Sequence, residues 1–195
     1  MNKPSNYENV STGDFTPVTP GGHHLIIKQV KESQSRSGKP MLVVAVDMAQ
    51  NDSQPLYMSK LFEGDTRPEK KWPHAGTIYV VSVDNSGQCT KNFKTFITCF
   101  EHSNGVQVAW ENGPKFAKQF AGKKIGGVFG IVEEEYNGER KKRCLLRWFC
   151  EDGKAENAKV PDPKLLDQGA APVPAGTTDP SGFTPVEIDT EELPF

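Results

Sequence analysis

Long hydrophobic runs are what this chain most obviously lacks. Nowhere in its 195 residues do about 18 apolar residues follow one another, so no helical membrane span and no membrane partner are expected. The opening MNKPSNYENVST has no apolar stretch of the kind that begins a secretory signal, which points to a soluble, cytoplasmic protein. Cysteine is scarce: Cys89, Cys99, Cys144 and Cys150 form no dense framework, and a chain of this length needs no covalent staples, so reduced thiols are expected. No glycine-rich loop of the phosphate-cradling kind follows a strand pattern, which argues against ATP use. No Ser, Cys and His pattern resembles a nucleophilic triad, and His23 and His24 have no acid or nucleophile that the sequence sets beside them. Nothing calls for a cofactor, and the chain is not expected to be an enzyme.

Positive charge is missing from one region only. From Asp167 to Phe195 there are six acids (Asp167, Asp179, Glu187, Asp189, Glu191 and Glu192) and no Lys or Arg, which leaves residues 1–166 with 23 bases against 19 acids. A body of +4 joined to a tail of −6 suggests an anionic ligand for the body. The tail divides in turn. Residues 167–185, DQGAAPVPAGTTDPSGFTP, have almost nothing to pack and read as a disordered linker. The tip, Glu187-Ile188-Asp189-Thr190-Glu191-Glu192-Leu193-Pro194-Phe195, sets four acids before Leu-Pro-Phe. Its carboxylates would steer it to a basic surface and its aromatic end would fill an apolar pocket, so these nine residues are expected to bind a partner.

In residues 1–166 the apolar patterns are short. Residues 24–31 and 41–48 read as strands joined by SQSRSGKP, a loop made basic by Arg36 and Lys39. Residues 56–62 and 77–83 look like further strands. Phe93, Phe96, Ile97 and Phe100 fall on one face of a helix over 91–103, and a short helix is expected from Pro114 to Gly122. Residues 124–135 and 139–149 flank Asn137-Gly138, the strongest short-range hairpin signal, and Gly126, Gly127 and Gly130 suggest bends. A mostly β body with one inserted helix fits a small barrel of the oligonucleotide-binding (OB) type, with the loops at 33–40 and 134–142 flanking its binding face. The predicted organisation is one OB-like domain over 1–166 and a disordered acidic tail over 167–195.

Binding a single strand without regard to sequence needs cations that track phosphates and aromatic faces on which bases stack. The chain interleaves the two: Tyr57, Lys60 and Phe62 on one predicted strand, then Arg67, Lys70, Lys71 and Trp72 in a polar stretch where the indole is expected to stay exposed. On the last strand, strict alternation puts Arg143, Leu145, Arg147 and Phe149 on a wet face and sends Trp148 into the core. Arg36, Lys39, Arg140, Lys141 and Lys142 complete the candidate DNA-binding set. Glu133, Glu134 and Glu135 alternate faces and cannot converge on one metal. Cys99 and His102, with Cys144 and Cys150, make only a weak zinc pattern, and a buried thiol is the better expectation for Cys99.

Several segments carry a resemblance. The tip EIDTEELPF resembles the acidic C-terminal tip of bacterial single-stranded DNA-binding proteins. NYENV at 6–10, PGGHHLIIKQV, the EKKWP around Trp72, NFKTFITCFEHSN at 92–104, GKKIGGVFG, and RWFC at 147–150 are similar to the single-strand-binding proteins of phages and prophages of Gram-positive bacteria. The similarity covers most of residues 6–166 and the last nine. It implies an OB-like barrel that coats single-stranded DNA during phage replication or recombination in a bacterial host cell. It also implies a tail that docks a polymerase, helicase, primase or recombinase. The rival expectations are an adaptor or decoy that seizes host replication proteins through the tail without touching DNA, and a metal-dependent nuclease.

Overall fold

The computed structural model describes residue 3 and residues 16–111 and 114–166. The NYENV segment, the linker and the acidic tip with its expected partner-binding residues lie outside the described residues. Five strands, β1 (Gly21–Gln34), β2 (Pro40–Met48), β3 (Thr77–Val81), β4 (Lys124–Tyr136) and β5 (Glu139–Cys150), form one open antiparallel sheet in the order β3-β2-β1-β4-β5. The helices are α1 (Tyr57–Gly64), α2 (Lys91–Asn104) and α3 (Pro114–Lys118). The body is mostly β, as expected.

β1 serves both halves of the sheet. Its first part pairs with β4, from Gly21 opposite Phe129 to Ile26 opposite Lys124, and its longer part pairs with β2 up to Gln34 opposite Pro40. A bulge between Ile27 and Gln29 bends the strand where the two ladders meet. The β4–β5 turn is the one that Asn-Gly announces: Asn137 and Gly138 have φ of 52° and 77°, the left-handed pair that a two-residue hairpin loop requires.

α2 follows its phenylalanine spacing. Thr90 caps it, its hydroxyl accepting from the Phe93 N–H at 3.1 Å, and Phe96, Ile97 and Phe100 are buried. Phe96 meets Phe149 of β5 at 5.0 Å between ring centroids, and Phe100 meets Phe120 at 4.6 Å, so this aromatic cluster joins helix to sheet.

Two expectations fail here. Residues 56–62 are not a strand: they lie mainly in α1, which buries Met58, Ser59 and Phe62. The reason is remote in sequence. The carboxylate of Asp47, buried on β2, accepts from the Met58 N–H at 2.8 Å, from the Ser59 N–H and from the Ser59 hydroxyl, and so caps the helix from outside it. The third strand of the sheet is therefore Thr77–Val81, at the edge beside β2.

The second failure is the face of β5. A bulge opposite Val128 and Phe129 pairs those residues with Trp148 and Leu146, leaving Arg147 extra. One added residue reverses the alternation beyond it. Cys144 and Leu146, before the bulge, keep the inward face that alternation gives them; beyond it Phe149 is buried in the core and Trp148 is turned out.

After β5 the chain returns as a strap across β4. Residue 164 bridges to Val132 in parallel: the Lys164 N–H donates to the Ile131 carbonyl at 2.9 Å, and the Glu133 N–H donates to the Lys164 carbonyl at 2.8 Å. The β4 glycines explain how the strap fits. A Cβ on Gly126 would sit 2.6 Å from the Glu151 carbonyl oxygen, and one on Gly130 would collide with Pro161. Both histidines that the sequence leaves without partners find acids, and one of them holds the strap. His24 reaches Asp152 at 2.7 Å and Glu156 at 3.3 Å, tying the strap to β1. His23, buried, lies between Asp52 Oδ1 at 2.9 Å and the Thr19 carbonyl at 2.8 Å. Both partners are acceptors, which calls for the doubly protonated ring.

Candidate nucleic-acid interface

Three of the expected base-stacking rings are inside the protein. Trp72 is buried: its ring meets Phe62 at 5.6 Å, and its indole N–H donates to the Val46 carbonyl at 3.1 Å. Its neighbours Lys70 and Lys71 stay outside while the ring folds back over α1 and β2, so a polar sequence context misjudged it. Phe62 and Phe149 are buried, and Tyr57 is half-buried against the core. These rings fill the interior because that removes the largest apolar area from water. Among the described residues the exposed rings are others: Trp148 at 44%, Trp110 at 67% and Tyr136 at 74%. The bulge in β5 is what frees Trp148, and strict alternation has no way to register it.

The candidate bases are distributed rather than gathered. Arg36 is exposed in the β1–β2 turn and Lys39 is half-buried there. The β4–β5 turn lies at the other end of the ladder, because β4 leaves β1 at Gly21 and runs on to Tyr136. Lys60 is exposed on α1. Arg67 is locked to Asp65, Nη2 to Oδ2 at 2.6 Å, and this hydrogen bond holds the Asp65 carboxyl down to about 2. Lys70 donates to the Glu63 carbonyl at 3.0 Å and lies 5.6 Å from the Phe62 ring centre.

The hairpin register neutralises the run Arg140 to Arg143. Arg140 stands opposite Glu135, Lys141 opposite Glu134, Lys142 opposite Glu133 and Arg143 opposite Val132. Arg140 comes within 3.4 Å of Glu135, Arg143 within 3.8 Å of Glu134, and Lys141 within 2.8 Å of Glu139. Such exposed pairs add little stability, but they cancel field, so this loop is far less attractive to phosphate than its four bases suggest.

What remains together is a group on β5. Because Leu146 and Phe149 face the core, Arg147 and Trp148 share the opposite face, in line with Leu145 and Arg143. Arg147 donates to the Asp162 carbonyl of the strap at 3.1 Å, which leaves a guanidinium beside an exposed indole. No family model matches this chain, and no curated protein matches it either.

Among the described residues no three His, Cys, Asp or Glu side chains come together to hold a metal. His102 turns to Glu151 at 3.0 Å. The thiols of the weak zinc pattern are neutral. Burial raises Cys99, and it pushes Cys144 and Cys150 up to about 11.

Proposed function

We propose that this protein binds single-stranded DNA without strong sequence preference during DNA replication or recombination in a bacterial cell, and that residues 187–195 recruit a replication or recombination protein. The observation that carries the reading is the β5 face, where the exposed Trp148 offers a stacking surface beside Arg147 and in line with Arg143. Every base has a π-face and every nucleotide a phosphate, so such a pair grips a strand whatever its sequence. The strand order, the bent β1 shared by two ladders and the helix entering between β3 and β4 are compatible with an OB-type barrel, which supports the same reading. The resemblance of the tip to that of bacterial single-strand-binding proteins supports the second half.

Titration with dT oligonucleotides at two salt concentrations tests the first half: affinity is expected to fall steeply with salt, and no binding at low salt refutes it. A duplex of the same length is expected to bind more weakly, since its bases are not free to stack. Removing residues 187–195 is expected to abolish partner binding while preserving or strengthening DNA binding; weaker DNA binding by the truncated chain contradicts the recruiting role. The neutralised hairpin favours one second reading, an adaptor that holds replication proteins through its tail and binds no DNA. The same dT titration separates the two.

A further inference from the structure

The body's positive charge has an address. Residues 91–124 hold Lys91, Lys94, Lys115, Lys118, Lys123 and Lys124 against Glu101 and Glu111, a surplus of +4. The rest of residues 1–166 holds 17 bases and 17 acids, so this one segment carries the whole of the body's excess. All six lysines are exposed. Among the described residues only Lys115 of the six has an acid within ion-pair reach, Glu111 at 3.8 Å, and Glu101 is engaged in accepting from the Val108 N–H at 2.9 Å.

The same segment displays the largest exposed indole. Trp110 stacks on Phe116 of α3 at 5.5 Å and 26° between planes, and it meets Phe93 of α2 at 6.2 Å. Gln119 fixes the loop that presents it, accepting from the Ala109 N–H at 2.9 Å and donating to the Ala109 carbonyl at 3.0 Å. One indole face is thus covered by the Phe116 ring while 67% of the residue stays open to water. Its lysines sit close in sequence to the rings it touches: Lys91 and Lys94 bracket Phe93, and Lys115 and Lys118 bracket Phe116.

We infer that the α2–α3 surface around Trp110 is a second binding site for single-stranded DNA, and that it supplies most of the salt-dependent part of the binding. This rests on the single-strand reading above and adds to it a site separate from β5. An exposed ring held rigid by stacking on a second ring loses little freedom when a base stacks on it, and exposed lysines near it in sequence, only Lys115 of them within reach of an acid among the described residues, release counterions when phosphate arrives. Neither condition is met at the hairpin, whose bases face glutamates.

The test compares the full chain with K91Q/K94Q/K115Q/K118Q and with W110A, measuring dT affinity over a range of salt. The slope of log K against log salt is expected to become shallower by about 0.7 for each phosphate that is no longer neutralised, up to about 3 for the fourfold variant. W110A is expected to weaken binding about 5- to 150-fold with the slope nearly unchanged. If the fourfold variant does not fold, the two double variants report the same slope at half the change. Binding by the full chain with no effect of either variant overturns this site and leaves the single-strand reading standing. Absence of dT binding by the full chain overturns both. Quenching of Trp110 fluorescence by the peptide EIDTEELPF but not by dT makes the surface a peptide site and overturns the inference.

Discussion

Replacing Asp47 with alanine tests the claim that α1 exists because a strand residue caps it. In the native fold this buried carboxylate accepts from two backbone N–H groups of the first turn of α1 and from the Ser59 hydroxyl. Alanine leaves those donors in a site from which water is excluded. Loss of a helix cap costs about 0.5–2 kcal/mol, and a buried donor without a partner costs about 1–3 kcal/mol, so the total should lie at about 1.5–5 kcal/mol. That is a large share of a stability that is typically about 5–15 kcal/mol. Urea unfolding followed by circular dichroism would show it as a midpoint lowered by about 0.75–2.5 M, for a slope of about 2 kcal/mol/M. Asparagine keeps a carbonyl acceptor but loses the charge and should fall between the two. With eight residues, α1 is too short to be stable by itself and has little to fall back on when its cap is gone. An alanine variant within about 0.5 kcal/mol of the parent, with an unchanged slope, would refute the capping argument.

The β5 bulge makes two adjacent residues opposites: Phe149→Ala should cost about 3–5 kcal/mol of stability, whereas Trp148→Ala should leave stability nearly intact and weaken dT binding by about 1–3 kcal/mol. The reverse pattern in thermal melting and titration would show that the faces are wrongly assigned. Stability should also depend on pH through the histidines. Burial by itself would lower His23, but its bonds to Asp52 and to the Thr19 carbonyl outweigh that and raise it above 6.5; Asp152 and Glu156 do the same for His24. The stabilisation is then complete below 6.5 and is lost as pH rises through the elevated values, so the melting temperature should decline toward pH 8.5. Asp52 is lowered despite its burial, chiefly by its bond to His23, so its contribution persists until pH falls below 3.8. In Asp52→Asn the alkaline decline should shrink, and a flat profile in the parent chain between pH 6 and 8.5 would contradict the pairing of His23 with Asp52 and of His24 with Asp152. Finally, a thiol reagent at neutral pH should modify the exposed Cys89 at once and Cys144 and Cys150 only on unfolding, since burial holds the latter two neutral.

Local signals survived folding and remote ones did not. Asn137-Gly138 announced its hairpin, and the phenylalanine spacing of 93–100 announced α2, because each is decided within a few residues. α1 read as a strand because its cap lies on β2 and its covering ring, Trp72, arrives from the loop beyond it. Trp148 and Phe149 exchanged faces because a period of two cannot count an extra residue. The neutral hairpin was legible in principle: given the turn, Glu133 to Glu135 must oppose Arg140 to Lys142. The +4 surplus was visible as a total, but its confinement to residues 91–124 became meaningful only once Trp110 was seen to stand exposed between Phe93 and Phe116.

The strap over β4 also decides where the rest of the chain departs. The Leu166 N–H donates to Glu133 Oε2 at 3.0 Å, so the acidic remainder is launched from the root of the β4–β5 hairpin. Had that hairpin been as positive as its four consecutive bases suggest, it would be the nearest counter-charge for the six acids beyond the exit and would favour self-capture. Its three glutamates remove that attraction at the point of departure. The charge that the hairpin does not offer lies instead on residues 91–124, whose surplus of +4 is the whole excess of residues 1–166.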